Sequence, residues 1–117
     1  MAEQAEHDLV LAKTNRINLL YDFYGKLLTD KQMTFLTYYF HDDFSLGEIA
    51  DVFGISRQAV SEHIKRAEQA LEEYETKLQL LQKHERRWQI YREMESAGAT
   101  ALPDKVREWT ALLRGIE

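Results

Sequence analysis

The sequence predicts an all-α protein, and three observations carry that prediction. One proline and five glycines in 117 residues leave long stretches free to be helical and argue against the many turns of an all-β fold. Apolar residues recur at steps of three, four and seven instead of alternating. Two capping boxes, Thr29 to Gln32 and Ser45 to Glu48, mark helix starts, because each offers a hydroxyl to an early backbone N–H and a side chain that reaches back. The length allows one compact domain with a real core and is short for two. Residues 1–117 are therefore expected to form a single all-α domain.

In chain order, Val10, Ile17, Leu20, Tyr24 and Leu27 line one side of a first helix that ends near Leu28. The box at Thr29 opens a second helix, expected to bury Met33, Leu36, Tyr39 and Phe40 and to stop at the polar run 41–43. The box at Ser45 opens a short third helix with Leu46, Ile49, Ala50 and Phe53 inward. Gly54 supplies the positive φ of a helix stop, Ile55 plugs the corner, and Ser56 is a good cap for the helix that follows. Two closely coupled helices with Ala50 at their contact and glycine in the turn form the helix-turn-helix pattern, and with the helix before it this unit spans 29–66. From Ser56 the next breaker is Gly98. Val60, Ile64, Ala67, Leu71, Tyr74, Leu78 and Leu81 alternate steps of four and three, a heptad seam, so 67–95 is expected to be one long heptad helix with Leu78 in its interior. Past Leu81 the register falters. Glu85 occupies an apolar slot, and Trp88, Tyr91 and Met94 resume on a shifted stripe, which suggests a change of packing partner or a helix break. After the small link 96–100, a last short helix over 103–114 aligns Leu102, Val106, Trp109 and Leu113.

Charge decides what such a fold can bind. The net charge is −5, which argues against a chain that coats nucleic acid nonspecifically. Residues 1–44 carry −3, 45–66 carry 0 and 67–117 carry −2, so the candidate reading segment is neutral. If it enters a major groove, it does so by the N-terminal half of its second helix. The candidate contacts there are Ser56, Arg57, Gln58, Ser61, Glu62, Lys65 and Arg66. Arginine suits guanine and glutamine suits adenine in bidentate pairs, serine and lysine reach bases or phosphates, and a glutamate accepts from cytosine. Val60, Ile64, Leu71, Tyr74, Leu78 and Leu81 are the expected core or dimer seam, since an uncovered apolar stripe of that length is rare on a soluble monomer. Fold-back of the terminal helices over the seam is the competing cover.

Other chemistry finds little support. There is no cysteine, so no disulfide framework or thiol nucleophile is expected. His7, His41, His63 and His84 are scattered without metal-ligand spacing and are expected on the surface. Glu72, Glu73 and Glu75 fit a solvated helix face. No metal site, cofactor or enzyme activity is expected. The acidic N-terminus and the lack of a long apolar run predict a cytoplasmic protein with no membrane span.

The stretch LLTDKQMTFLTYYFHDDFSLGEIADVFGISRQAVSEHIKRAEQAL resembles region 4 of sigma factors. The likeness rests on Leu28 and Gln32, on Ser45, Glu48, Ile49, Ala50, Gly54, Ile55, Ser56 and Val60, and on Arg66-Ala67. No segment corresponds to a promoter-melting region. From about Leu19 through the long helix the chain resembles the YlxM family of small bacterial DNA-binding proteins. The resemblance implies a regulatory or accessory role, linked by gene neighbourhood to the signal recognition particle, and no enzyme activity. Two functions follow as expectations: a sequence-selective DNA-binding regulator acting as a dimer, or a protein- or RNA-interaction module of that pathway that kept the fold without duplex binding.

Overall fold

The computed structural model describes residues 2–117, and the described residues hold helices and turns with no strand. The helices are α1 (Ala2–Tyr24), α2 (Asp30–Leu36), α3 (Leu46–Phe53), α4 (Arg57–Leu78), α5 (Leu80–Ala97) and α6 (Pro103–Ile116). They fall into two compact units, one ending at Leu78 and the other spanning Gln79–Glu117.

In the first unit α1, α2 and α3 all pack on α4. The stripe Val60, Ile64, Ala67 and Leu71 on α4 is buried against Ile17, Leu20, Tyr24, Phe35, Leu36, Phe40, Ile49 and Ala50, each large aliphatic side chain contributing about 1.5–3 kcal/mol. The seam is thus core for most of its length. Both capping boxes form in full: Gln32 N–H donates to Thr29 Oγ1 (3.1 Å) and Thr29 N–H to Gln32 Oε1 (3.0 Å), while Glu48 N–H donates to Ser45 Oγ (3.0 Å) and Ser45 N–H to Glu48 Oε1 (3.2 Å). Gly54 closes α3 in the left-handed region at φ 66°, ψ 34°.

Several inward positions differ from the periodic expectation. Val10 is 65% exposed and Leu27 is also exposed: residues 2–13 of α1 are exposed throughout, and Leu27 falls in the tight turn Gly25–Leu27 beyond the helix proper. Phe35 is buried where Met33 is only partly covered and Tyr39 is exposed. Tyr39 falls within Thr37–His41, where Asp42 N–H donates to Thr37 O (2.9 Å) in a wide i→i+5 turn. The wider turn shifts the phase, so that Phe40 returns to the core and Tyr39 does not. Leu46 is half-buried, and Phe53 lies at the rim with its ring 4.9 Å from Phe35 and edge-on to Tyr38 at 5.6 Å.

The expected continuous helix over 67–95 is two helices. Gln79 takes the left-handed conformation at φ 56°, ψ 30° and ends α4. Leu78 is 45% exposed rather than interior, Tyr74 is half-buried, and Leu81 is buried. Glu75, expected in solvent, is the buried residue of that turn. Its Oε1 accepts from the Tyr24 hydroxyl at 2.6 Å, Tyr24 stacks on Tyr74 at 5.9 Å, and the Tyr74 hydroxyl donates to Leu27 O at 3.3 Å. A buried carboxylate is tolerable when hydrogen-bonded.

The second unit is a hairpin of α5 and α6 around Ile90, Trp109 and Ile116, with Ala97, Ala101 and Leu113 packed alongside. The Trp109 indole N–H donates to Glu93 Oε2 at 3.1 Å. Leu102 and Val106 are exposed and Ile116 is buried instead: α6 runs to Ile116, two residues past its expected end, and the stripe Trp109, Leu113, Ile116 continues on the covered side. Trp88, Tyr91 and Met94 remain largely exposed on α5. No helix of the described chain is long and apolar enough to cross a membrane.

Two substitutions test this packing by chemical denaturation. Gly54→Ala should cost about 1 kcal/mol through left-handed strain, since a Cβ there meets nothing within 4 Å. Tyr24→Phe should cost about 1–3 kcal/mol, because it removes a donor to a buried carboxylate; an unchanged midpoint would mean that Glu75 does not need that hydroxyl.

Candidate nucleic-acid interface

The geometry of α3, the Gly54 turn and α4 fixes what the first turns of α4 can present. Ile55 N–H donates to Ala50 O (3.1 Å), and the half-buried Ile55 side chain fills the corner. Ala59 N–H donates to Ser56 Oγ (3.0 Å), so the Ser56 hydroxyl is engaged as the helix cap. With Val60 and Ile64 turned inward, helical periodicity sends Gln58, Glu62, Lys65 and Arg66 outward, and all four are exposed. Ser61 is half-buried. Arg57 is exposed, but its guanidinium lies against α3: a Cβ at Gly47 would stand 3.1 Å from Arg57 Nε and Nη2. The structure therefore brings Gln58, Glu62, Lys65 and Arg66 onto one open surface and sets Ser56 and Arg57 at its edge, in local roles.

The acids that follow these turns of α4 are largely accounted for by α1. Arg16 donates from Nε to Glu72 Oε1 (2.7 Å) and from Nη2 to Glu72 Oε2 (2.8 Å), a bidentate pair, and Lys13 Nζ lies 3.3 Å from Glu68 Oε2. The hydrogen bond from Arg16 and its charge hold the Glu72 carboxyl below its usual pKa against the opposing effect of burial. Exposed pairs add little stability, about 0–1 kcal/mol. Their consequence here is electrostatic: two of the four acids beyond Arg66 are neutralised, and Glu75 is buried on Tyr24. Glu73 stays exposed.

His63, expected on the surface, is half-buried with its ring stacked on Phe35 of α2 at 4.8 Å. Burial, then Lys31, then Arg66 push its pKa below the ordinary value, with Glu62 pulling the other way. Lys31, at the start of α2, and Arg66 thus both disfavour the charged form of one imidazole. No local pattern signals this grouping, because 32 or more residues separate Lys31 from its neighbours on α4. Neither Lys65 nor Arg66 has an ion-pair partner among the described residues.

The fold and this surface define a helix-turn-helix protein whose second helix carries an open, mixed-charge face. Comparison with known proteins makes the assignment particular. The UPF0122 family, described as "Putative helix-turn-helix protein, YlxM / p13 like", matches residues 11–108, and the chain belongs to that family. It is 45% identical to the UPF0122 protein YlxM of Bacillus subtilis over 107 residues, covering 92% of this chain and 96% of that one. It is 45% identical to a UPF0122 protein of Listeria welshimeri over 107 residues, 90% of this chain and 97% of the relative. Over 88 residues it is 54% identical to a UPF0122 protein of Halalkalibacterium halodurans, covering 75% and 81% of the two chains.

The His63 environment predicts a pH effect. Its folded-state pKa lies below its unfolded value, so its contribution to stability is fully present above the ordinary histidine pKa of about 6.5 and is lost as the pH falls through the lowered folded value. Urea midpoints compared at pH 7.5 and pH 5.5 should show a fall that His63→Gln reduces. An equal fall in both proteins would assign the acid sensitivity elsewhere.

Proposed function

We propose that this chain is a DNA-binding regulatory or accessory protein that acts as a dimer, and that it serves the signal recognition particle pathway to which its YlxM resemblance points. The supporting observation is the open face of α4: Gln58, Glu62, Lys65 and Arg66 stand exposed on a capped helix-turn-helix while Lys13 and Arg16 neutralise the acids of the next turns. In this reading Gln58 pairs with adenine, and Lys65 and Arg66 meet phosphate or guanine. Glu62 accepts from a cytosine amino group or excludes the wrong base by repulsion. Arg57 reaches the nucleic acid by swinging away from Gly47, Ser61 contributes from the flank, and Ser56 presents its backbone end of the helix. The unit 29–66 serves as a sigma region 4-like reading module. The second reading, a protein- or RNA-interaction module of the same pathway, is favoured by the neutral charge of 45–66, which offers duplex DNA little sequence-independent attraction.

Fluorescence anisotropy at two salt concentrations separates the readings, with duplex fragments selected from the source genome and a structured RNA as probes. Gln58→Ala should cost about 1–3 kcal/mol on the cognate duplex, whereas Lys65→Ala should weaken all sequences evenly and flatten the salt dependence. Random duplex should bind poorly at physiological salt. Failure of every duplex to bind below about 10 micromolar would overturn the DNA reading in favour of the interaction module.

A further inference from the structure

We propose that the outer face of α5 around Trp88 is where two copies of this chain pair, with the helices antiparallel and Glu85 of each copy against Arg92 of the other. The inference rests on the dimeric part of the proposed function and not on nucleic-acid binding. Ile90 and Ala97 belong to the core shared with α6, and helical periodicity puts Glu85, Trp88 and Arg92 on the opposite side of α5. Trp88 is 45% exposed. Its ring contacts are with His84 and Tyr91 of its own helix, each at 6.0 Å, and a shallow groove runs over His84, Glu85, Trp88, Gln89 and Arg92. Exposed Trp and Tyr on one helix face, rimmed by charge, have the composition of an interface centre.

The charges select the occupant. Neither Glu85 nor Arg92 has an ion-pair partner among the described residues. They lie seven residues apart, about 10.5 Å along the helix axis, with Trp88 and Gln89 midway between them. A two-fold axis through that midpoint, perpendicular to the helix, brings each glutamate opposite the other copy's arginine, so both ends pair at once. A parallel arrangement would set like charges together and is disfavoured. A second copy supplies this spacing of opposite signs by symmetry alone, and Glu85, the residue that interrupts the apolar heptad pattern, becomes the register mark of the pair.

Sedimentation equilibrium of the full chain from 1 to 100 micromolar tests the proposal, with circular dichroism to check each variant's helix content. The wild-type chain is expected to dimerise, and Trp88→Glu to remain monomeric throughout. Glu85→Arg alone and Arg92→Glu alone should each weaken the dimer at least about tenfold by opposing like charges at both ends, and the double exchange should restore it. These side chains are exposed, so the variants should fold. A wild-type monomer over the whole range would assign the face to another protein and overturn the proposal, as would a dimer that Trp88→Glu leaves intact or a double exchange that restores nothing. Duplex titrations of the same samples keep the two readings apart: a wild-type dimer that responds to these variants but binds no nucleic acid sinks the DNA reading and leaves this interface standing.

Discussion

The apolar stripe of α4 is the constraint on which the rest of the first unit depends. Val60, Ile64, Ala67 and Leu71 have almost no exposed surface, and three other helices pack on the helix that carries them. Ala67 matters through its small size, since a short side chain between larger neighbours lets a crossing helix approach closely. Fixing this stripe inward fixes what points outward. Gln58, Glu62, Lys65 and Arg66 are presented because the residues between them are held by the core.

The same arrangement explains how a neutral segment in an acidic chain can keep basic side chains unpaired on an open surface. Charge counted along the sequence mixes two sides of one helix. On the side towards α1, Glu68 and Glu72 meet Lys13 and Arg16, and Glu75 is drawn into the interior by Tyr24. On the side towards α2, Lys31 and Arg66 both act on His63. Opposite charges a few ångströms apart largely cancel at the distance of a docked phosphate. The field that a ligand meets is then set by the unpaired residues, and on the first turns of α4 those include Lys65 and Arg66.

Much of this was legible in the sequence, and the failures have physical causes. Both capping boxes, the Gly54 stop and the Ser56 cap were readable because each depends on residues within a few positions of one another. The inward face of α4 was readable because its periodicity is strict. Positions whose phase depends on a backbone irregularity were not: Tyr39 lies within the wide turn at 37–41 and stays exposed, and the sequence around Thr37 carries no glycine or proline to announce it. Site features built by distant contacts were likewise hidden. The Arg16–Glu72 pair spans 56 residues and the Tyr24–Glu75 bond spans 51, so acids that look solvated on one helix acquire their partners only when α1 is laid beside it.

Gln79 shows why a heptad pattern alone misplaced Leu78. Seven apolar positions in register describe one continuous seam only while the helix stays continuous. A left-handed residue within it costs about 1–2 kcal/mol for a side chain other than glycine, so it persists only where the surrounding packing over-determines it. Here α4 answers to the core made with α1, α2 and α3, while α5 answers to Ile90, Trp109 and Ile116. Within the second unit Ile90 turns to α6 while Trp88 is left on the opposite side of α5. The apolar residues beyond Leu81 that look like a faltering seam are thus the register of a helix that has begun again, and the surface it exposes follows from that restart.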